Sequence, residues 1–280
     1  MAYKSLTTII SSPDEARSAL PSAAHLAVAL DAHLDVLALG IDRTQLGYSY
    51  LGSGAVLMQV AMERAEQDAR ESETAAKALL SAEAVDLRWS LESAVAQVGA
   101  VGELVAQRAR FADLLVLPRP YGKGRGGEAE AVLESALFEG QAPVLVLPDS
   151  ADVKLPERVV IGWNQSREAM VAVRRALPFL KRAGLVNIAV IDPPQHGPER
   201  SDPGGMLCQM LVRHGVKAEV SVLARSMPRI SDVLNRHVRD MNADLLVMGA
   251  YGHSRFREAI LGGATRNMLE QAEVPVLMAH

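Results

Sequence analysis

The sequence predicts an α/β protein made of two tandem copies of a five-stranded parallel sheet flanked by helices. Three observations carry the prediction. Short β-branched or Leu-rich runs alternate with longer segments of helical periodicity. The strand segments read as continuous apolar runs, as strands do when helices cover both faces of a parallel sheet. Several segments of residues 1–149 also reappear, in the same order, after residue 156.

In the first half the strands fall at Ser5–Ser11, Asp35–Ile41, Val85–Leu91, Asp113–Leu117 and Pro143–Leu147. An Ala/Glu/Arg-rich helix runs over Val56–Leu80, and another lies near Ala100–Phe111. Asp149–Glu157 is polar, contains a proline and reads as the connector. The series then restarts with strands at Arg158–Trp163, Val186–Ile191, Val216–Leu223, Asp244–Met248 and Pro275–Ala279. Over Ser166–Arg182, Ala169, Val173, Leu177 and Leu180 recur at helical spacing, with Arg174, Arg175, Lys181 and Arg182 on another side. Further helices are expected over Pro203–His214 and Pro228–Met241, and the last opens at Ala264–Thr265. Phe111–Leu117 (FADLLVL) matches Asn242–Met248 (NADLLVM), Pro143–Leu147 (PVLVL) matches Pro275–Ala279 (PVLMA), and Leu37–Asp42 matches Asn187–Asp192. Three matches in one order indicate duplication, with domains at 1–149 and 156–280.

Composition sets the outer limits. The 280 residues are 49% hydrophobic and 22% charged, which suits a globular protein with a large core. The net charge of −4 argues against a general nucleic-acid binder. Residues 1–150 hold 12 basic and 20 acidic side chains, and 151–280 hold 17 and 13, so the second half is the better host for an anion. Cys208 is the single cysteine, which excludes an intrachain disulfide and a cysteine zinc cage. No run approaches the ~18 to 20 apolar residues a membrane helix needs, and the first residues lack a secretory apolar segment. The expected location is cytoplasmic.

Gly249–Thr265, GAYGHSRFREAILGGAT, is the segment richest in chemistry. It starts where the fourth strand of the second half ends, and open parallel sheets take ligands beyond the carboxyl ends of their strands. Gly249 and Gly252 bracket a tight turn, and Gly262 and Gly263 precede Ala264 and Thr265 at the start of the last helix. Glycine lets the backbone approach a ligand and aim N–H groups at it. The helix start adds unpaired N–H donors and a positive dipole end, a combination suited to phosphate. His253, Arg255 and Arg266 add positive charge. By spacing alone the segment reads equally as a βα turn followed by the glycine cap of a helix over Ser254–Leu261.

Gly249-x2-Gly252-x9-Gly262, set between ADLLVMG and a final VPVLMA strand, resembles the nucleotide-binding signature of the universal stress protein A family. The resemblance covers nearly the whole chain as a tandem-domain member. It implies an adenine nucleotide α-hydrolase-like fold and ATP as the ligand, with magnesium accompanying the triphosphate. Gly263 stands where the family usually has Ser or Thr, which removes a hydroxyl but keeps the backbone N–H. Thr265 supplies a hydroxyl two positions on. Asn164 falls at the family's acidic residue near the adenine, and Val190 at the position whose backbone faces the base. The resemblance also implies that the two halves associate as an intramolecular pseudo-dimer through their last strands. A homodimer of two such chains is a further association that the resemblance allows.

The first half departs from the signature. Pro118 stands where Gly249 stands, Tyr121 falls near Gly252, and Glu130 and Ala131 fall at Gly262 and Gly263. A carboxylate there repels phosphate, so this half is expected to be empty. YGKGRGGE over Tyr121–Glu128 lacks the Lys-Ser/Thr ending of a phosphate loop. Cys208 among Met206, Leu207 and Met210 reads as a buried structural thiol, Trp163 and Trp89 as core or sheet-edge residues, and His237 as a solvated helix residue. No metal-chelating spacing and no nucleophilic triad stands out. Three functions fit: an ATP-binding stress-response protein that signals through occupancy without catalysis, a protein-interaction scaffold without nucleotide, or a slow ATPase with Glu258 as its nearest carboxylate.

Overall fold

The structure is a computed structural model that describes residues 2–44, 54–83, 86–121, 127–149, 153–193, 201–250 and 264–280. Ten strands and eight helices are described. The chain divides into two compact units, one of 3–120 and 124–142, the other of 143–280 with residues 1–2 and 121–123.

The first unit opens with β1 (Ser5–Ile10), then α1 (Pro13–Leu30), β2 (His33–Asp42), α2 (Gly54–Ala82), β3 (Arg88–Gln97), α3 (Val101–Ala109), β4 (Leu114–Pro118) and α4 (Gly127–Phe138). The Ser12 hydroxyl accepts the Glu15 N–H at 3.2 Å to start α1, and Pro13 sits where no N–H is required. Asp31, at φ 52°, ends the helix by donating its N–H to Ala27 and Val28 carbonyls. β1 pairs in parallel with β2 and β4, and β2 with β3. Leu6, Ile10, Leu34, Leu39 and Leu114 form the buried sheet interior.

β3 runs to Gln97 rather than ending at Leu91 as the apolar run suggested. The ten-residue β2 pairs along its whole length, from His33 with Arg88 to Asp42 with Gln97. The strand is half-exposed throughout, so Glu92 and Ser93 cost little within it.

The second unit holds β5 (Val144–Leu147), β6 (Arg158–Trp163), α5 (Arg167–Leu180), β7 (Leu185–Ile191), α6 (Gly205–Arg213), β8 (Ala218–Leu223), α7 (Ile230–Asp240), β9 (Leu245–Gly249), α8 (Ala264–Gln271) and β10 (Val276–Ala279). β6 pairs in parallel with β7 and β9, β7 with β8, and β9 with β10. β5, last strand of the first sequence repeat, joins this unit and pairs antiparallel with β10 through Val146–Val276 and Val144–Met278.

Structure strengthens the case for duplication. In the repeated ADLLV, the Asp113 carboxylate accepts the N–H groups of Lys4 (2.7 Å) and Ser5 (3.1 Å) at the start of β1. The Asp244 carboxylate does the same for Glu157 (2.9 Å) and Arg158 (3.0 Å) at the start of β6. In both repeats this aspartate supplies the acceptors that the first strand's leading amides lack within the sheet.

Candidate functional site

In the second unit the carboxyl ends of β6, β7 and β9 lie side by side, because Trp163 pairs with Val190 and Gly162 with Met248. Three predicted residues meet at that end. Asn164, exposed, follows β6 directly. Val190, buried, is the penultimate residue of β7. Gly249 closes β9.

The turn after β6 is built by hydrogen bonding. Asn164 Oδ1 accepts the Ser166 N–H at 3.1 Å, Gln165 adopts φ 63°, and the Ser166 hydroxyl accepts the Ala169 N–H at 3.1 Å to cap α5. Asn164 thus uses its carbonyl oxygen in the turn, and its amide Nδ2, a pure donor, has no hydrogen-bond partner among the described residues. Beside it the Trp163 indole Nε1 is buried with no hydrogen-bond partner among the described residues.

Gly249 is held by packing. A Cβ there would lie 2.5 Å from the Ala169 nitrogen and 2.7 Å from the Glu168 carbonyl carbon, both backbone atoms of the first turn of α5. The next residue is tied inside the protein: Ala250 N–H donates to Ala279 O at 2.9 Å, and Ala250 O lies 3.0 Å from His280 Nδ1. The first amide after β9 is therefore already used, which leaves any phosphate cradle to later residues of the segment. Gly252, His253, Gly262 and Gly263 lie outside the described residues, as do Arg255 and Glu258. Ala264 opens α8, and Thr265 is buried in its first turn. The Arg266 guanidinium is engaged with Glu270 at 2.9 Å and sits 4.9 Å from the Tyr121 ring centre.

Over the β7 face, Gly204 at φ 85° starts α6, and a Cβ on it would come within 3.2 Å of the Val190 side chain. The Val190 side chain is covered there.

The same strand ends in the first unit are closed. Ser11, which follows β1 as Asn164 follows β6, donates both its N–H (2.7 Å) and its hydroxyl (2.9 Å) to the Glu15 carboxylate. Glu128, in the first turn of α4, pairs with Arg43 through two contacts of 2.6 and 2.8 Å. Together with Pro118 these carboxylates line a hollow of about 20 Å³, roughly one water's room. From α4 it is Glu128 and not Glu130 that lines this hollow, because the helix starts at Gly127 and its first turn brings Glu128 to the strand ends.

One polar cluster escaped the sequence reading. His237, expected in solvent, is 7% exposed, and its Nε2 lies 2.8 Å from Asn187 Oδ1. Asn187, 1% exposed, gives its two amide hydrogens to Glu219 (3.0 Å) and Ser221 (2.8 Å). Its oxygen is then the acceptor, which places a proton on His237 Nε2. Burial holds the His237 pKa below the usual histidine range. The signal available in the sequence was the helical spacing of Val233, Leu234, His237 and Val238, which puts the imidazole on the apolar face. Cys208 is half-buried rather than fully buried. Its thiol faces Ala218 O at 3.5 Å, and burial and Asp202 push its pKa up.

No helix among the described residues is long and apolar enough to cross a membrane, and no cluster of metal-binding side chains occurs among them. Residues 156–280 match the universal stress protein family model. A universal stress protein of Synechocystis sp., Slr1230, is 26% identical over 156 residues. That match covers 54% of this chain and 51% of the relative, so the chain spans about half the length of the curated relative it matches. A universal stress protein structure from Archaeoglobus fulgidus superposes with a TM-score of 0.68 at 15% identity, over 99% of this chain and 96% of that one. A Pseudomonas aeruginosa protein of unknown function gives 0.55 at 14% identity, over 99% and 92%. These likenesses carry the adenine nucleotide α-hydrolase-like fold over the full length. Over residues 156–280 the chain is thus similar to the universal stress protein family.

Proposed function

We propose that the second repeat binds one adenine nucleotide, ATP with its accompanying magnesium, at the carboxyl ends of β6, β7 and β9, and that occupancy acts as a signal without catalysis. The observation that carries this reading is the contrast between repeats at one place in the fold. The first repeat puts Glu15 and Glu128 there, whereas the second has Gly249 and Asn164, whose amide donor has no partner among the described residues. An amide donor suits the ring-nitrogen acceptors of a purine. The polyphosphate is assigned to Gly252, His253, Gly262 and Gly263 with the N–H groups of Ala264 and Thr265, where a helix start favours anions. Val190 offers backbone groups to the base, and the metal is held by phosphate oxygens and water.

Calorimetric titration of the whole chain with ATP tests the proposal. One nucleotide per chain is expected, with binding lost in Gly252→Glu and Gly262→Asp while unliganded thermal stability stays unchanged. Two nucleotides per chain, or none, overturns it. Phosphate release is expected to be no faster than in Gly262→Asp; faster release makes the protein an ATPase. The scaffold reading draws on Ala250, whose N–H is committed to Ala279, and on the uncharged Asn164. Protein that gains no thermal stability with ATP would establish it.

A further inference from the structure

In the first repeat, strand register sets a row of polar side chains on the sheet face below α3. Thr7 stands beside Asp35, and Asp35 beside Ser90. With Ser5, Glu92, Arg108 and Phe111 they line a hollow of about 170 Å³. In the second repeat the corresponding row is Val160, Asn187 and Glu219, and the space is filled by His237. Seven residues before the aspartate of each ADLLV, the second repeat has His237 and the first has Ala106. In the first repeat Arg108 of α3 and Phe111 beyond its end border the hollow.

The groups around it are incompletely satisfied. Thr7 is 5% exposed, and its hydroxyl has no hydrogen-bond partner among the described residues, in contrast to its neighbour Thr8, which donates to Val116 O. The Asp35 carboxylate accepts hydroxyls from Ser90 at 2.5 Å and Ser5 at 3.4 Å. The His33 imidazole Nε2 lies 3.5 Å from its Oδ1. Arg108 is held to Glu92 at 2.6 Å. Phe111, 82% exposed, adds an aromatic ring to the lining. The hollow therefore offers one carboxylate without a strong cation partner, several hydroxyl oxygens and one ring.

We propose that this hollow binds a small primary amine. Its ammonium donates to Asp35, to the Thr7 hydroxyl and to Ser5, and its hydrocarbon part lies against Phe111. A carboxylate takes a charge-assisted hydrogen bond from an ammonium, and an aromatic face attracts a cation. The ammonium belongs either to a plain alkylamine or to an amino acid whose carboxylate reaches Arg108.

Amide chemical shifts of the full chain test the site, with n-butylamine, 4-aminobutyrate and uncharged n-butanol as probes up to ~100 mM, the range of weak half-exposed sites. Saturable shifts centred on Thr7, Asp35 and Ser90 are expected with n-butylamine and none with n-butanol. Asp35→Asn, which copies Asn187 of the other repeat, is expected to weaken binding about tenfold and Thr7→Val about threefold, the scale of a charged and a neutral hydrogen bond. Tighter binding of 4-aminobutyrate than of n-butylamine assigns the site to amino acids, and weaker binding to plain amines. No saturation with n-butylamine, an equal response to n-butanol, or undiminished binding by Asp35→Asn overturns the proposal.

Discussion

Replacing Gly249 with alanine separates two roles that one glycine could serve. The added Cβ would lie 2.5 Å from the Ala169 nitrogen and 2.7 Å from the Glu168 carbonyl carbon. Carbon needs ~3.5 Å from such atoms, so the overlap is about 1 Å. Both neighbours are backbone, and no rotamer change relieves the clash. Either α5 lifts from the end of β9 or β9 bends away from β10, to which it is paired through Gly249–Ala279. Lifting α5 strains the cap between the Ser166 hydroxyl and Ala169 N–H, worth ~1 kcal/mol. Overpacking a close contact costs a further ~1–3 kcal/mol. The expected loss is thus ~2–4 kcal/mol, measured in urea without nucleotide from the midpoint at constant m-value. A loss under ~0.5 kcal/mol, the ordinary surface range, would refute the packing argument and leave Gly249 to the ligand alone.

Other perturbations read other parts of the fold. His237→Ala removes a buried ring and leaves Asn187 Oδ1 unpaired, for an expected loss of ~2–4 kcal/mol in the same urea assay; a loss below ~1 kcal/mol would contradict the tautomer and burial assigned to this cluster. Because burial lowers the His237 pKa, the unfolded chain binds a proton near pH ~6.5 while the folded chain does not. That stability is fully present above the unfolded value and lost as pH falls from there toward the folded one, and His237→Gln is expected to lessen the acid-side decline. Glu128→Gln breaks a half-exposed pair with Arg43 for ~0.5–1 kcal/mol, and calorimetry on it is expected to show no second nucleotide, since Glu15 still holds the Ser11 N–H.

The architecture was legible because it rests on features that one sequence displays. Apolar runs marked the strands, and the helical pattern over Ser166–Arg182 begins at the residue that caps α5, whereas α1 after Ser12 went unread although Ser12 caps it. β3 was cut short because its second half owes its pairing to β2, a neighbour that local polarity does not reveal. His237 was misplaced because the charges beside it, Arg236, Arg239 and Asp240, dominated the reading, while a single helical face carries it inward. Of the candidate site, the position of Asn164 after β6 was legible, but not the commitment of its oxygen to the turn, since the turn through Gln165 has no sequence signal beyond Asn and Ser two residues apart. Glu130 was named where Glu128 acts because counting back from a strand cannot fix the rotation of a helix.

The two repeats also separate what the fold demands from what a site demands. Asp113 and Asp244 do one job twice, binding the leading amides of the first strand. That job is set by backbone donors, which any copy of the fold must satisfy. Beyond the strands the constraint lapses, and the copies part: Ser11 with Glu15 against Asn164 with Ser166 at one end, and Asp35 in an open hollow against Asn187 under His237 across the sheet. In each comparison one copy meets its polar groups internally and the other leaves a donor or acceptor facing outward. The copy that closes itself differs between the two places. The two proposed sites thus lie at different places in the two repeats, and loss of binding at either is expected to leave the other intact.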